Sequence, residues 1–337
     1  MTESAIRVGF DEMQSTLETI LQKRGFDSKR SEQLAYIFAE NSLMGKDSHG
    51  INRFQSFLDS IEQGVVKPDA SPEKVKSFQA IEQWDGNLGP GPLNAIVCTD
   101  RAIELSDKFG IGCVALKNSN HWMRGGTYGW HAAERGHPFI CWSNTKPNMP
   151  AWGSTESRLG NNPLIIAIPR EEGPVVLDMA MTQYAYGTLE VKSRNGEKLT
   201  HDGGFDLEGN MTNDPDEIIT SQRPLPAGLW KGSGLALVLD LLASVLSEGR
   251  STCEIGEQKT EYGLSQVFIA FKAEYAGGKD GLSKIVDSII ADFHGSQTEA
   301  GNKVYYPGER SLLSREDNLK NGVPVNRDLW ESLKKHV

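Results

Sequence analysis

Three amphipathic segments open the chain. The first is predicted over 11–25, with Asp11 as N-cap, Gln14 three residues on, and a stop at Gly25. A second helix is predicted over 28–44, ending at Gly45, and a third over 48–64, ending at Gly64. In the third, Ile51, Phe54, Leu58 and Ile61 fall on one face at about 100° per residue. Pro68 and Pro72 then mark a connection. From about residue 79 the pattern changes. Short apolar runs over 111–116, 139–142, 164–168 and 175–179 predict strands, with helical stretches over 94–108 and 126–135 between them. Residues 194–225 are rich in Gly, Asn, Asp and Pro and read as a long loop region, which in a folded domain often carries function. A strong helix over 234–247, a strand over 266–271 and a polar helical tail from Asp280 follow, the tail broken by YPGER at 306–310. The alternation predicts an α/β or α+β domain built around a sheet.

Length, charge and cysteines narrow the function classes. A chain of 337 residues can hold one large domain or two to three ordinary ones. Its net charge of −10 opposes a phosphate backbone, and KVK at Lys74 and Lys76 and the pair Lys334 and Lys335 are too short to form a basic stripe. No nucleic-acid partner is expected. Cys98, Cys113, Cys141 and Cys253 form no CxxC pair, so neither a finger-type zinc site nor a redox dithiol is expected, and no metal residue is assigned. Cys113 and Cys141 sit in apolar runs, where cysteine behaves as a small buried hydrophobe. The N-terminal stretch lacks the apolar run of a signal peptide. The most apolar stretch, 235–246, is interrupted by Asp240 and is too short for a bilayer. A reduced, cytoplasmic protein with no membrane partner is the expectation.

The third predicted helix carries candidate chemistry. Ser48 fits an N-cap. His49 and Arg53, four residues apart, share a face nearly opposite the apolar stripe. Arginine can grip a carboxylate through parallel N–H bonds, and histidine can protonate an oxygen as it becomes alkoxide-like. The pair therefore suits reduction of a 2-keto acid, the plain alternative being a solvated His and Arg. Further along, the strand VALKNSN runs into His121, Trp122, Met123, Arg124, Gly125 and Gly126. The two glycines would let backbone approach a ligand, or this is an ordinary strand-to-helix turn around a buried Trp. Trp230, Lys231, Gly232, Ser233 and Gly234 precede the apolar helix. Their N–H groups with Lys231 suit a phosphate, or simply cap the helix. Asp178, near the end of PVVLDMA, suits ribose hydroxyls, or caps a strand end. No GxGxxG is present: GPGPLN fails it, because prolines break the turn and the third glycine is absent. P-loop, HExxH and GxSxG motifs are absent too. A nicotinamide enzyme with this sequence does not use the usual fingerprint.

In order along the chain, SHGINR, NSNHWMRGGTYGW, GNNPLIIAIP, LDMA and WKGSG resemble the malate/L-lactate dehydrogenase family that lacks a Rossmann fold. The likeness spans nearly the whole chain. It implies an α+β fold, with a non-Rossmann NAD(P)-binding mixed-sheet domain at 77–232 and a helical domain built from 1–76 with about 233–337. It implies NAD(P)H-dependent reduction of a 2-keto acid, a sugar-derived diketo acid foremost, with NADH as cofactor and NADPH as the alternative. Malate, lactate, ureidoglycolate or a cyclic imino acid are the alternative substrates, and a non-catalytic binding protein on the same fold is the rival of another class. Residue by residue, the resemblance makes His49 the proton donor with Ser48 as a relay. It makes Arg53 the carboxylate anchor and His121 a second active-site imidazole. The strand Pro174, Val175, Val176, Leu177, Asp178, Met179 and Ala180 becomes a cofactor segment. Trp230 and Lys231 form another, and Gly308, Glu309 and Arg310 a third. Some relatives carry an acidic residue where YGTLE has Thr188, so no His–Asp relay is expected there. The family forms homodimers, with the cofactor near the subunit interface.

Overall fold

Strand Ile111–Ser119 is buried over most of its length, and that burial organises the molecule. Its residues alternate between two apolar layers, Val114 and Leu116 into one, Cys113 and Ala115 into the other. A strand covered on both faces reads as a continuous apolar run, which is why 111–116 stands out in the sequence. The computed structural model describes residues 5–299 and 301–337. Its main sheet has seven strands in the order Glu73–Phe78, Ile81–Asp85, Ile111–Ser119, Leu264–Phe271, Phe139–Ser143, Leu164–Ile168, Val175–Met179. Only Ile81–Asp85 and Ile111–Ser119 pair in parallel; the other neighbours are antiparallel. The fold is therefore α+β with a mixed sheet.

Helices Gly91–Phe109 and Gly126–Glu134 cover one face, where Ala95, Cys98, Ala102, Tyr128 and Ala132 meet Phe139, Ile165 and Phe268. Helix Trp230–Ser247 covers the other through Ala236, Leu239 and Ala243. Asp240, the polar interruption in that helix, accepts from Asn144 Nδ2 at 2.9 Å and from the Thr252 N–H at 2.9 Å. With 18 residues and mean hydropathy 1.3, the helix is long and apolar enough by length and composition to cross a bilayer, contrary to the sequence expectation. One of its faces is nevertheless committed to the sheet. The outward face exposes Leu237, Val238, Leu241, Leu242 and Val245.

A second layer joins the two ends of the chain. Helices Phe10–Lys23, Ser28–Leu43 and Ile51–Glu62 pack with the strand pair Ala5–Val8 and Val323–Asn326 and with helix Arg327–Lys334. The stripe Ile51, Phe54 and Leu58 is fully buried there, with Ile61 packed at the edge. Helix Glu309–Asn321 is tied on by Arg315 to Glu40 at 2.9 Å and by Asn318 Nδ2 to the Leu43 carbonyl at 2.9 Å.

The structure corrects the sequence reading at several points. Residues 230–271 contribute a covering helix and the central strand of the sheet, so they do not group with the terminal helices as a boundary near 233 required. Strand pairing is a long-range choice that local periodicity does not encode. Gly9, not Asp11, precedes the first helix, and Asp11 lies inside its first turn, where a carboxylate favours the positive helix end. Residues 194–225 are not one loop. They hold a short strand pair, Gly204–Phe205 with Met211–Thr212, and helix Pro215–Ser221, around a small core of Leu189, Leu199 and Ile218.

Candidate active site

The SHG segment is a single 3-10 turn, Asp47–His49, set before helix Ile51–Glu62. Ser48 is therefore not the N-cap: Gly50 is, and the Ile51 N–H is satisfied by Ser42 Oγ at 2.8 Å. Gly50 is required by contact. A Cβ there would sit 2.2 Å from Ser42 Oγ and 2.8 Å from the Ser42 nitrogen. Hydrogen bonds fix the imidazole and the backbone of the turn that carries it. Ser48 Oγ lies 3.0 Å from His49 Nδ1, Asn41 Nδ2 donates to the His49 carbonyl at 3.0 Å, and Thr127 Oγ1 donates to Asn41 Oδ1 at 2.7 Å. Gly187 packs closely against Ser48, since a Cβ there would lie 2.7 Å from Ser48 Cβ. Asp47 has Oδ1 buried without a hydrogen-bond partner among the described residues. Burial pushes its carboxyl up to about 6, against the opposing pull of the Ser42 hydroxyl.

His121 arrives from the end of strand Ile111–Ser119 and stacks on His49, the ring centroids 6.0 Å apart and the planes 14° from parallel. Its position is built from strained and crowded backbone. Asn118 and Met123 both have positive φ, at 51° and 63°. Buried Asn120 donates to the carbonyls of Leu88 at 2.9 Å and Gly89 at 3.0 Å. A Cβ on Gly91 would lie 2.3 Å from the carbonyl oxygens of Asn120 and His121, so GPGPLN is a helix start pressed against this segment. The Met123 N–H donates to His121 Nδ1 at 3.1 Å. Nδ1 is therefore the acceptor, and the ring proton of the neutral imidazole sits on Nε2. Trp122 is buried between Tyr128 and Phe268.

Electrostatically the two imidazoles resist protonation. Burial holds His121 well below the ordinary histidine range, with Arg53 and His49 adding to it. His49 is also lowered, first by burial, then by Arg53, Arg124 and Lys46, while Asp178 pulls the other way. Arg53 thus acts on both rings, although it stands on the helix and His49 on the preceding turn, and not on one continuous helical face as the spacing predicted.

The segment after His121 serves packing more than ligand approach. A Cβ on Gly125 would strike Ile165 Cδ1 at 2.3 Å, and one on Gly126 would strike Asp178 Oδ2 at 2.6 Å. The Gly126 N–H donates to that carboxylate at 3.0 Å, and Arg124 Nε lies 3.5 Å from it. Arg124 is 5% exposed, and its Nε has no hydrogen-bond partner among the described residues. Burial holds the Lys46 ammonium below its ordinary range, with Arg124 and Arg310 adding to the effect and Asp178 opposing it. Sequence reasoning gave neither Lys46 nor Arg124 a role. The only signal was a cation two residues before SHG and another three after His121.

The three expected cofactor segments are placed unequally. The Val176 N–H donates to the Pro307 carbonyl at 2.8 Å, which brings Gly308, Glu309 and Arg310 against the strand holding Asp178. Glu309 is already engaged, its carboxylate 3.0 Å from His294 Nε2 and 2.9 Å from the Tyr306 N–H. Arg310 stacks on Tyr305 at 4.6 Å. The third segment departs from expectation. The helix begins at Trp230, so the N–H groups of Lys231, Gly232 and Ser233 are bonded to the carbonyls of Gly228, Ala227 and Leu229 and are not free for a phosphate. Trp230 itself is 66% exposed. Among the described residues no hydrogen bond or ion pair joins Trp230 or Lys231 to the imidazole pair. Backbone bonds from the 225–227 run to Met181 and Gln183 nevertheless hold this helix start beside the end of the Asp178 strand. No cluster of metal-ligating side chains occurs among the described residues.

Comparison with known proteins places this architecture. Residues 8–334 match the family described as malate/L-lactate dehydrogenase. A 2,3-diketo-L-gulonate reductase of Haemophilus influenzae is 44% identical over 334 residues, covering 98% of this chain and 99% of that protein. One from Pasteurella multocida is 43% identical with the same coverage. Among solved structures, malate dehydrogenase from Entamoeba histolytica superposes with a TM-score of 0.94 at 26% identity, covering 99% of this chain and 97% of that one. Sulfolactate dehydrogenase from Methanocaldococcus jannaschii gives 0.88 at 27% identity, with 98% and 96% covered.

Proposed function

We propose, from the premise that this chain belongs to the malate/L-lactate dehydrogenase family and is an oxidoreductase, that it reduces 2,3-diketo-L-gulonate to 3-dehydro-L-gulonate with NADH. The observation that carries the reading is the stacked pair His49 and His121 beside Arg53. A dinucleotide fits on two counts. The strand with Asp178 and the loop with Arg310 are bonded to each other, and a buried guanidinium nitrogen beside Asp178 lacks a hydrogen-bond partner among the described residues. When bound, the dihydronicotinamide supplies the hydride to the C2 carbonyl.

The chain's own residues divide the remaining work. Arg53 holds the keto acid's carboxylate through charge-assisted hydrogen bonds. Its positive charge holds the His49 pKa down in the free protein. Pairing with a carboxylate offsets that charge, so substrate arrival favours the imidazolium. His49 then gives its proton to the C2 oxygen, with Ser48 Oγ positioning Nδ1. His121, fixed as the Nε2–H form by Met123, polarises the carbonyl as a hydrogen-bond donor and stays neutral.

The functional unit in this reading is a homodimer, because the outward face of Trp230–Ser247 exposes an apolar stripe that a monomer would leave wet. Burying that stripe in a second copy would also bring Trp230 and Lys231 next to a subunit boundary. A cytoplasmic setting is supported by four free cysteines, three of them buried.

The test is loss of dihydronicotinamide absorbance with a panel of keto acids, using NADH and NADPH in parallel. The highest kcat/KM is expected with the diketo sugar acid and NADH. Preference for oxaloacetate, pyruvate or a cyclic imino acid would reassign the substrate. Cofactor binding without turnover on any of them would favour a non-catalytic binding protein.

A further inference from the structure

The acid and the cofactor strand belong to different layers of this fold. His49 stands just before a helix of the layer built from both chain ends, whereas Asp178 lies on a strand of the main sheet. Reduction needs both layers in register on one carbonyl, and a misplacement of about 1 Å can cost about 10²-fold in rate. A short series of hydrogen bonds joins the layers at this point. The Gly126 N–H donates to Asp178 Oδ2 at 3.0 Å. The next residue, Thr127, donates its hydroxyl to Asn41 Oδ1 at 2.7 Å, and Asn41 Nδ2 donates to the His49 carbonyl at 3.0 Å. Helix Gly126–Glu134 is itself pressed on the sheet, since a Cβ on Gly129 would lie 2.9 Å from Ile165 Cγ2 and 3.1 Å from Ala167 Cβ.

The direction of each bond is forced. A backbone carbonyl only accepts, so the Asn41 amide turns its NH2 group to His49 and its oxygen to Thr127, and the Thr127 hydroxyl is the donor. Asn41 is fully buried, and its backbone carbonyl accepts from the Lys46 N–H at 2.8 Å, so this one residue closes both ends of the turn 46–49. Without the Thr127 hydroxyl a buried amide oxygen is left unpaired, and rotation of that amide toward another donor releases the His49 carbonyl.

We infer that Thr127 and Asn41 are positioning residues for proton delivery, holding the His49 turn in register with the sheet that carries Asp178. This role rests on the reductase reading above and adds two residues that touch neither substrate nor cofactor in it.

The experiment has two readouts, for wild type, Thr127→Val and Thr127→Ser. One is the steady-state kinetics of keto-acid reduction. The other is the NMR titration of the His49 ring without cofactor or substrate, its signal assigned by its loss in His49→Ala. Valine keeps the shape of threonine and removes the hydroxyl. Thr127→Val is expected to lower kcat by about tenfold, with NADH affinity and the keto acid KM nearly unchanged, and Thr127→Ser to recover it. Thr127→Ala, which removes the hydroxyl without a branched side chain, is expected to repeat the valine result. Burial is the largest influence lowering the His49 pKa, and the charges of Asp178, Arg53, Arg124 and Lys46 are untouched. A loosened turn should therefore move the titration up toward 6.5. In a His49→Ala background, Thr127→Val should cost no further rate. An unmoved His49 titration, or an equal rate loss in the His49→Ala background, overturns the positioning role while leaving the reductase reading standing. Wild-type protein with no turnover on any keto acid overturns both.

Discussion

His49 and His121 lie nearly parallel with their centroids 6.0 Å apart, and each lowers the other's capacity for a second charge. Two imidazoles so placed do not both become imidazolium. Since the Met123 N–H occupies Nδ1 of His121, the proton that moves is assigned to His49. His49→Ala should cut turnover by about 10²–10⁴-fold, the usual worth of a positioned acid, with NADH binding nearly intact. Because the His49 pKa is lowered from 6.5, kcat/KM for reduction should fall with rising pH from a break below that value. That break should vanish in His49→Ala. A wild-type profile that stays flat from about pH 5 to 8 would remove the assignment.

Arg53→Ala should raise the keto acid KM by roughly 10- to 100-fold with a smaller effect on kcat. It should also move the pH break upward, because Arg53 holds both imidazole pKa values down. Arg53→Lys should restore part of the affinity but not the two-point grip. Titration calorimetry with the keto acid, read beside the pH profile, checks both effects. An unchanged KM would place the carboxylate elsewhere.

Asp47 destabilises the fold when ionised. Its folded pKa of about 6 stands above the ordinary 3.8, so the buried carboxylate costs stability above pH 6 and the cost is relieved as pH falls toward 3.8. Asp47→Asn should therefore be more stable than wild type by about 1–3 kcal/mol at alkaline pH, since each tenfold change in an ionisation constant is worth roughly 1.4 kcal/mol. The gain should shrink through the window between about 6 and 3.8. Urea midpoints at several pH values decide it. A gain independent of pH would show that ionisation of Asp47 is not its source.

Leu241 and Val245 are 54% and 71% exposed on the helix that covers the sheet. Replacing both with Glu should leave the circular dichroism spectrum unchanged and convert a dimer to a monomer by light scattering. If wild type already runs as a monomer, the proposed homodimer fails.

Much of this molecule is legible in its residues. The stripe Ile51, Phe54 and Leu58 announces its helix and its buried face, because helical periodicity is local. The strands over 111–116 and 164–168 announce themselves by apolar runs, and SHGINR and NHWMRGG mark the two imidazoles. What only the tertiary structure decided is adjacency. No local pattern says that Leu264–Phe271 inserts between Ile111–Ser119 and Phe139–Ser143, since register is set by which faces are buried together. Nor does spacing say that a histidine on a 3-10 turn stacks on one 72 positions later, or that Arg124 and the Gly126 N–H meet on the Asp178 carboxylate. Helix and strand follow from interactions a few residues long. The site follows from charges and rings that meet only after the chain has closed on itself, where burial strengthens every interaction between them.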